Sequence, residues 1–144
     1  MLRIGQGLVD QISAHARRDH PDEACGVIAG PAGSDRPERF IPMLNAARSP
    51  TFYEFESGDL LKLYRELDDL DEQVIVNYHS HTATEPYPSR TDINYASGPL
   101  ADPATHYVLV STREHGNDEG QVEFRSYRIL DGEVTEEPVE IIAA

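Results

Sequence analysis

One cysteine, Cys25, is all the thiol this chain has. No disulfide can close within it, and a reducing cytoplasm is the expected compartment. Long apolar runs are missing too: nowhere do about 18 apolar residues follow one another, the length a bilayer-crossing helix needs, so no membrane span is expected. Met1 to Asp10 carries one basic residue and no extended apolar stretch, which is not the pattern of a secretory signal. Basic residues are scarce. Twelve Lys and Arg face 26 Asp and Glu, a formal net charge of −14 at pH 7, with the acidic residues spread along the chain instead of gathered in a tail. Such a chain repels a phosphate backbone, so no nucleic acid partner is expected. Asp68, Asp69, Asp71 and Glu72 read as a solvated helix end, with attraction of a basic partner as the sharper alternative. There is no internal repeat and no low-complexity linker. The 144 residues are enough for one domain, residues 1–144, with a core that needs no staples.

Periodicity supplies the elements. Leu8, Ile12 and Ala16, with Val9 beside them, predict a helix from about Gly7 to Arg18, ended by Asp19-His20-Pro21. The small apolar run Ala24 to Gly30 suits a buried strand, and residues 31–37 are turn chemistry. Residues 40–45 and 51–55 read as two further strands. Ser57 is placed to cap a second helix with an apolar stripe of Leu60, Leu63, Tyr64, Leu67 and Leu70. Val74-Ile75-Val76 begins a buried strand that runs into His79 and His81. A short helix over 89–97 has Ser89 or Thr91 as its cap and Asp92 in its first turn. Strands follow at 106–111, 122–129 and near 134–142, with Asp131-Gly132 as a tight turn. Helices and strands in this order predict an α/β or α+β fold around a largely β centre.

Chemistry concentrates around His79-Ser80-His81. Side chains two apart in a strand point the same way, so both imidazoles can reach one metal ion, and Asp92 adds an anionic oxygen. Two imidazoles and one carboxylate hold a divalent ion with a coordination position left open, the mark of a catalytic and not a structural site. Taken singly, Asp92 is an ordinary helix N-terminal charge, Ser89 an ordinary cap and Glu23 an ordinary surface carboxylate. Only their combination changes that. His15, His20 and His115 read as surface residues, and His106 as a core or edge residue. Cys25, inside an apolar run, reads as a buried thiol and not a nucleophile. Phe52, Tyr53 and Phe55 are core aromatics or the lining of a peptide groove.

Glu23, followed at a distance by His79-Ser80-His81, seven residues, Ser89, two residues and Asp92, fills every position of the JAMM (Jab1/MPN+) metalloprotease motif, and the chain resembles that family from about Leu8 to Arg128. His20-Pro21-Asp22-Glu23-Ala24-Cys25-Gly26, Ser49-Pro50-Thr51-Phe52-Tyr53 and Tyr87-Pro88-Ser89-Arg90-Thr91-Asp92 are similar to its small bacterial branch of the CysO-cysteine peptidase type. The resemblance implies the MPN/JAMM, cytidine-deaminase-like fold, a central mixed sheet flanked by helices. It implies Zn²⁺ held by His79, His81 and Asp92, with Glu23 as general base and Ser89 as hydrogen-bond donor to the oxyanion. The implied reaction is amide or isopeptide hydrolysis after the C-terminal Gly-Gly of a ubiquitin-like sulfur-carrier protein, releasing an attached cysteine. The alternatives are trimming of a carrier precursor, action on a small amide, and a noncatalytic module that only binds a partner.

Overall fold

The computed structural model describes residues 1–51, 53–96, 102, 104–113 and 122–143. In chain order its elements are β1 (Leu2–Gly5), α1 (Gln6–Asp19), β2 (Cys25–Pro31), β3 (Arg39–Met43), α2 (Ser57–Asp69), β4 (Glu72–His81), α3 (Arg90–Ala96), β5 (His106–Ser111), β6 (Glu123–Leu130), β7 (Glu133–Glu137) and β8 (Val139–Ile142). Six strands form one sheet in the order β3-β2-β4-β5-β6-β7, while β1 and β8 pair in parallel as a second, two-stranded sheet. Within the large sheet only β4 and β5 run parallel. This is the expected α+β class, a central mixed sheet flanked by helices.

Alternation along β2 explains how the helices sit. Cys25, Val27 and Ala29 pack with Leu63 and Leu67 of α2, whereas Ile28 packs with Val9, Ile12 and Ala16 of α1. Successive strand residues face opposite sides, so α1 and α2 cover opposite faces. A register shift then sets the direction of the histidines. Ile28 pairs with Val76 but Ala29 with Val74, leaving Ile75 as the extra residue of a β-bulge. Ile75, Val76 and Tyr78 join the α1 side and Val74 the α2 side. Without the bulge Val74 and His79 would point to opposite faces; with it, both share the α2 side. Gly26 stands opposite Tyr78, and a Cβ there would collide with the Tyr78 ring.

Several expectations need correction. His15 is not a surface residue: it is 4% exposed, its Nδ1 lies 2.7 Å from the Tyr78 hydroxyl and its Nε2 3.1 Å from Asp19. Residues 12 and 16 gave α1 its apolar stripe, and His15 falls beside them on the same buried face. His20 is half-buried, with Nδ1 2.8 Å from Thr112 Oγ1, and His115 lies outside the described residues. Glu56, not Ser57, caps α2: its carboxylate accepts the Asp59 amide at 2.7 Å. The α2 stripe is narrower than predicted, since Tyr64 and Leu70 are exposed. Glu72 is half-buried and accepts from Arg39 at 2.7 Å, unlike exposed Asp68, Asp69 and Asp71. Residues 51 and 53–55 form no strand, and among the described residues a single bridge, Asn45 to Phe55, is left there; Phe52 lies outside the described residues. The Asn45 carboxamide instead accepts the Glu54 amide. Asp131 and Gly132, with φ of 50° and 80°, make the expected tight turn between β6 and β7. His106 is wholly buried. Among the described residues no helix is long and apolar enough to cross a membrane.

Candidate functional site

Three chain segments meet at the C-terminal end of β4. His79 pairs with Cys25 across the β2–β4 ladder, which brings the residues just before β2 alongside the histidines. Ser80 locks them there: its hydroxyl accepts the Ala24 amide at 2.8 Å, and its own amide donates to the Ala24 carbonyl at 3.0 Å. Glu23 thereby faces both imidazoles, and the ligand atoms of Glu23, His79 and His81 all lie within 4.8 Å of one another. The third segment is the start of α3. Ser89 Oγ accepts the Asp92 amide at 3.1 Å and Asp92 Oδ2 accepts the Ser89 amide at 2.8 Å, a reciprocal cap. The same Asp92 Oδ2 lies 3.0 Å from His79 Nε2 and 3.1 Å from His81 Nε2. All five motif residues are thus brought together, with Glu23, His79, His81 and Asp92 buried and Ser89 exposed.

The donor set suits a divalent cation. His81 Nδ1 donates to the Glu85 carbonyl at 2.9 Å, which leaves Nε2 as the nitrogen directed at Asp92. The His79 ring stacks on Tyr53, with centroids 4.4 Å apart and planes at 26°. Its Nε2 is buried without a hydrogen bond of acceptable geometry despite its short distance to Asp92, and Glu23 Oε1 is buried with no partner. Leaving a buried polar atom unsatisfied costs about 1–3 kcal/mol, and a cation among these atoms would satisfy them.

Electrostatics separates the two carboxyls. Burial pushes Glu23 up to about 8, with the His81 charge opposing and Asp92 reinforcing the shift. Burial pushes Asp92 up as well, but the imidazoles of His79 and His81 beside it and the hydrogen bond from the Ser89 amide outweigh burial and hold that carboxyl well below the usual range. Burial pushes His79 down. In His81, bonds to Asp92 and the Glu85 carbonyl overcome burial and raise its pKa. Two neighbouring carboxyls pushed apart are the arrangement in which one stays ionised and the other exchanges a proton near neutral pH. Cys25 offers no competing nucleophile: buried on the α2 side, its thiol is pushed up to about 12, first by burial.

Sequence reasoning missed the parts that hold these residues. Ser80 sits inside the motif, and its role becomes visible only once β2 and β4 pair. Asn45, whose Nδ2 donates to the Glu23 carbonyl at 3.0 Å, carries no local signal. Tyr53 was weighed as core or groove; it is both buried and packed on His79.

A family model described as prokaryotic homologs of the JAB domain matches residues 5–130. The CysO-cysteine peptidase of Mycobacterium tuberculosis is 61% identical over 142 residues, 99% of this chain and 92% of that protein. A desampylase of Haloferax volcanii is 33% identical over 103 residues, 68% of this chain and 74% of the relative. In fold, the chain is similar to a JAB1/MPN domain protein from Archaeoglobus fulgidus, with TM-score 0.60 and 21% identity over 98% of this chain and 97% of that one. With a family model spanning most of the chain and a relative matched almost end to end, this chain belongs to the prokaryotic JAB domain family.

Proposed function

We propose that the protein is a zinc-dependent peptidase that hydrolyses the amide bond after the C-terminal Gly-Gly of a ubiquitin-like sulfur-carrier protein and releases the cysteine attached there. The carrying observation is the convergence of His79, His81 and Asp92 on one point, faced by the buried Glu23 carboxyl, whose Oε1 has no hydrogen-bond partner. The near-full-length similarity to a protein named CysO-cysteine peptidase supports the choice of substrate.

His79 and His81 through Nε2 and Asp92 through Oδ2 would hold Zn²⁺, a mixture of imidazole and carboxylate ligands that suits this ion and leaves a position open. When bound, the ion would polarise the scissile carbonyl and lower the pKa of a water to about 7. Everything else falls to the chain. Glu23 takes a proton from the attacking water and passes it to the leaving amine nitrogen as the C–N bond breaks, giving a carrier carboxylate and free cysteine. A carboxyl pushed up to about 8 can both gain and lose that proton near neutral pH. Ser89 Oγ already accepts the Asp92 amide, so its hydroxyl hydrogen is left to donate to the oxygen that becomes negative as the carbonyl carbon turns tetrahedral. The His81–Glu85 bond keeps Nε2 as the free nitrogen. An extended tail without side chains at its last two residues reaches such a buried centre where bulkier residues would be blocked.

The test is the intact mass of a carrier protein ending in Gly-Gly-Cys, incubated with the enzyme with and without a zinc chelator. Loss of one cysteine residue, stopped by chelation, is expected. An unchanged mass with zinc demonstrably bound would overturn the substrate assignment, and loss of several residues would point to precursor trimming instead.

A further inference from the structure

We infer that Asn45 is a positioning residue that sets where Glu23 stands. The inference rests on Glu23 being the proton carrier. The Glu23 side chain is held by little of its own: Oε1 is buried with no hydrogen-bond partner, so the placement of the carboxyl depends on how the backbone beneath it is fixed. Both backbone groups of Glu23 are gripped by one stretch, residues 45–51 and 53–54. Its amide donates to the Ser49 carbonyl at 2.9 Å, and its carbonyl accepts Asn45 Nδ2 at 3.0 Å.

Asn45 also holds that segment in shape. It is 5% exposed, and its Oδ1 accepts the amides of Ala47 at 3.0 Å and Glu54 at 3.1 Å. The Arg48 amide returns to the Asn45 carbonyl at 3.1 Å, and the Ala46 amide reaches the Glu54 carbonyl at 2.8 Å. The folded segment touches the rest of the site twice more. Tyr53 stacks on the His79 ring, and the Pro50 carbonyl accepts the Thr82 hydroxyl at 3.0 Å, next to His81. One carboxamide therefore ties the proton carrier to the segment that also packs on an imidazole. A misplacement of about 1 Å at a reacting group can cost 10²-fold in rate, so this tie bears on turnover.

Asn45→Asp separates the two jobs. The aspartate keeps an acceptor for Ala47 and Glu54 but places an oxygen against the Glu23 carbonyl where a donor stood. With zinc loaded and the Gly-Gly-Cys carrier as substrate, kcat is expected to fall about tenfold or more while KM stays within about threefold. Zinc content should match wild type, and Asn45→Ala should lose at least as much activity. Amide exchange gives a readout independent of turnover: the Glu23 amide should exchange faster in Asn45→Asp, with Ala47 and Glu54 still protected. Wild-type kcat in Asn45→Asp, with Glu23→Ala inactive, overturns the inference and leaves the proposed function standing. A wild-type enzyme that never cleaves the carrier overturns the function, and the exchange result then decides the role of Asn45 alone. If neither variant folds, exchange in the wild type decides: Glu23 and Glu54 amides opening together supports the tie, and separate opening overturns it.

Discussion

At the scale of single residues, the proposed function separates holding a metal from moving a proton. His79 and His81 direct their Nε2 atoms at Asp92, so His79→Ala should lose both zinc and turnover, measured as bound zinc per chain and as kcat. Glu23 stands opposite with one oxygen unpartnered, and Glu23→Gln should keep zinc while kcat falls about 10² to 10⁴-fold, the usual contribution of a general base. Loss of zinc in Glu23→Gln would move Glu23 into the ligand set, which its closeness to both imidazoles makes a real alternative to measure. These five side chains stood out in the sequence because they fill the positions of the JAMM motif; the structure brings them together, and their roles rest on the proposed function. His15 was not legible as a buried residue, since a histidine beside an apolar stripe looks polar until Tyr78 and Asp19 arrive to bond both of its nitrogens.

At the scale of elements, what was legible follows from how local each cause is. α1, α2 and β2 announce themselves by periodicity and composition, and they fall within a residue or two of their predicted limits. β1 went unseen because four residues carry no period and its partner, β8, comes from the far end of the chain. The bulge in β4 was invisible for a related reason: Val74-Ile75-Val76 reads as a uniform apolar run, and only pairing with β2 shows which residue is extra. The stretch of residues 51 and 53–55 forms no strand because a side chain, Asn45, takes the Glu54 amide that a ladder would have used. The β2–β4 ladder also exposes a sequence requirement at Gly26. Gly26→Ala should destabilise the fold by about 1–3 kcal/mol or more through overpacking against Tyr78, read as a lowered midpoint of thermal or urea unfolding. Because Cys25 and Ala24 adjoin it, a shifted β2 should also lower kcat.

At the scale of the whole molecule, the Glu137 cluster and the candidate site lie at opposite ends of the parallel pair. β4 and β5 align Val76 with His106 and His81 with Ser111, so His106 marks the end away from the histidine pair. There Glu137, at the end of β7, gathers the fold: its carboxylate lies 2.7 Å from His106 Nδ1 of β5, accepts the Ser126 hydroxyl of β6 at 2.8 Å and meets the Met1 amine at 3.0 Å. Burial pushes this carboxyl up, but the bonds from His106, Ser126 and the N-terminus outweigh it and bring it down to about 2. A carboxyl whose pKa is depressed in the folded state stabilises fully above its unfolded value near 4.5, and that stabilisation drains away as pH falls toward 2. Glu137→Gln should therefore be less stable than wild type by about 2–3 kcal/mol at pH 7, with the two proteins converging as pH approaches 2, measured by urea unfolding across that range. Its kcat at pH 7 should match wild type, because among the described residues no contact of Glu137 reaches the end that carries His79 and His81. Equal loss of kcat and stability would mean that the far end of the sheet transmits to the site, contrary to the separation the β4–β5 register implies.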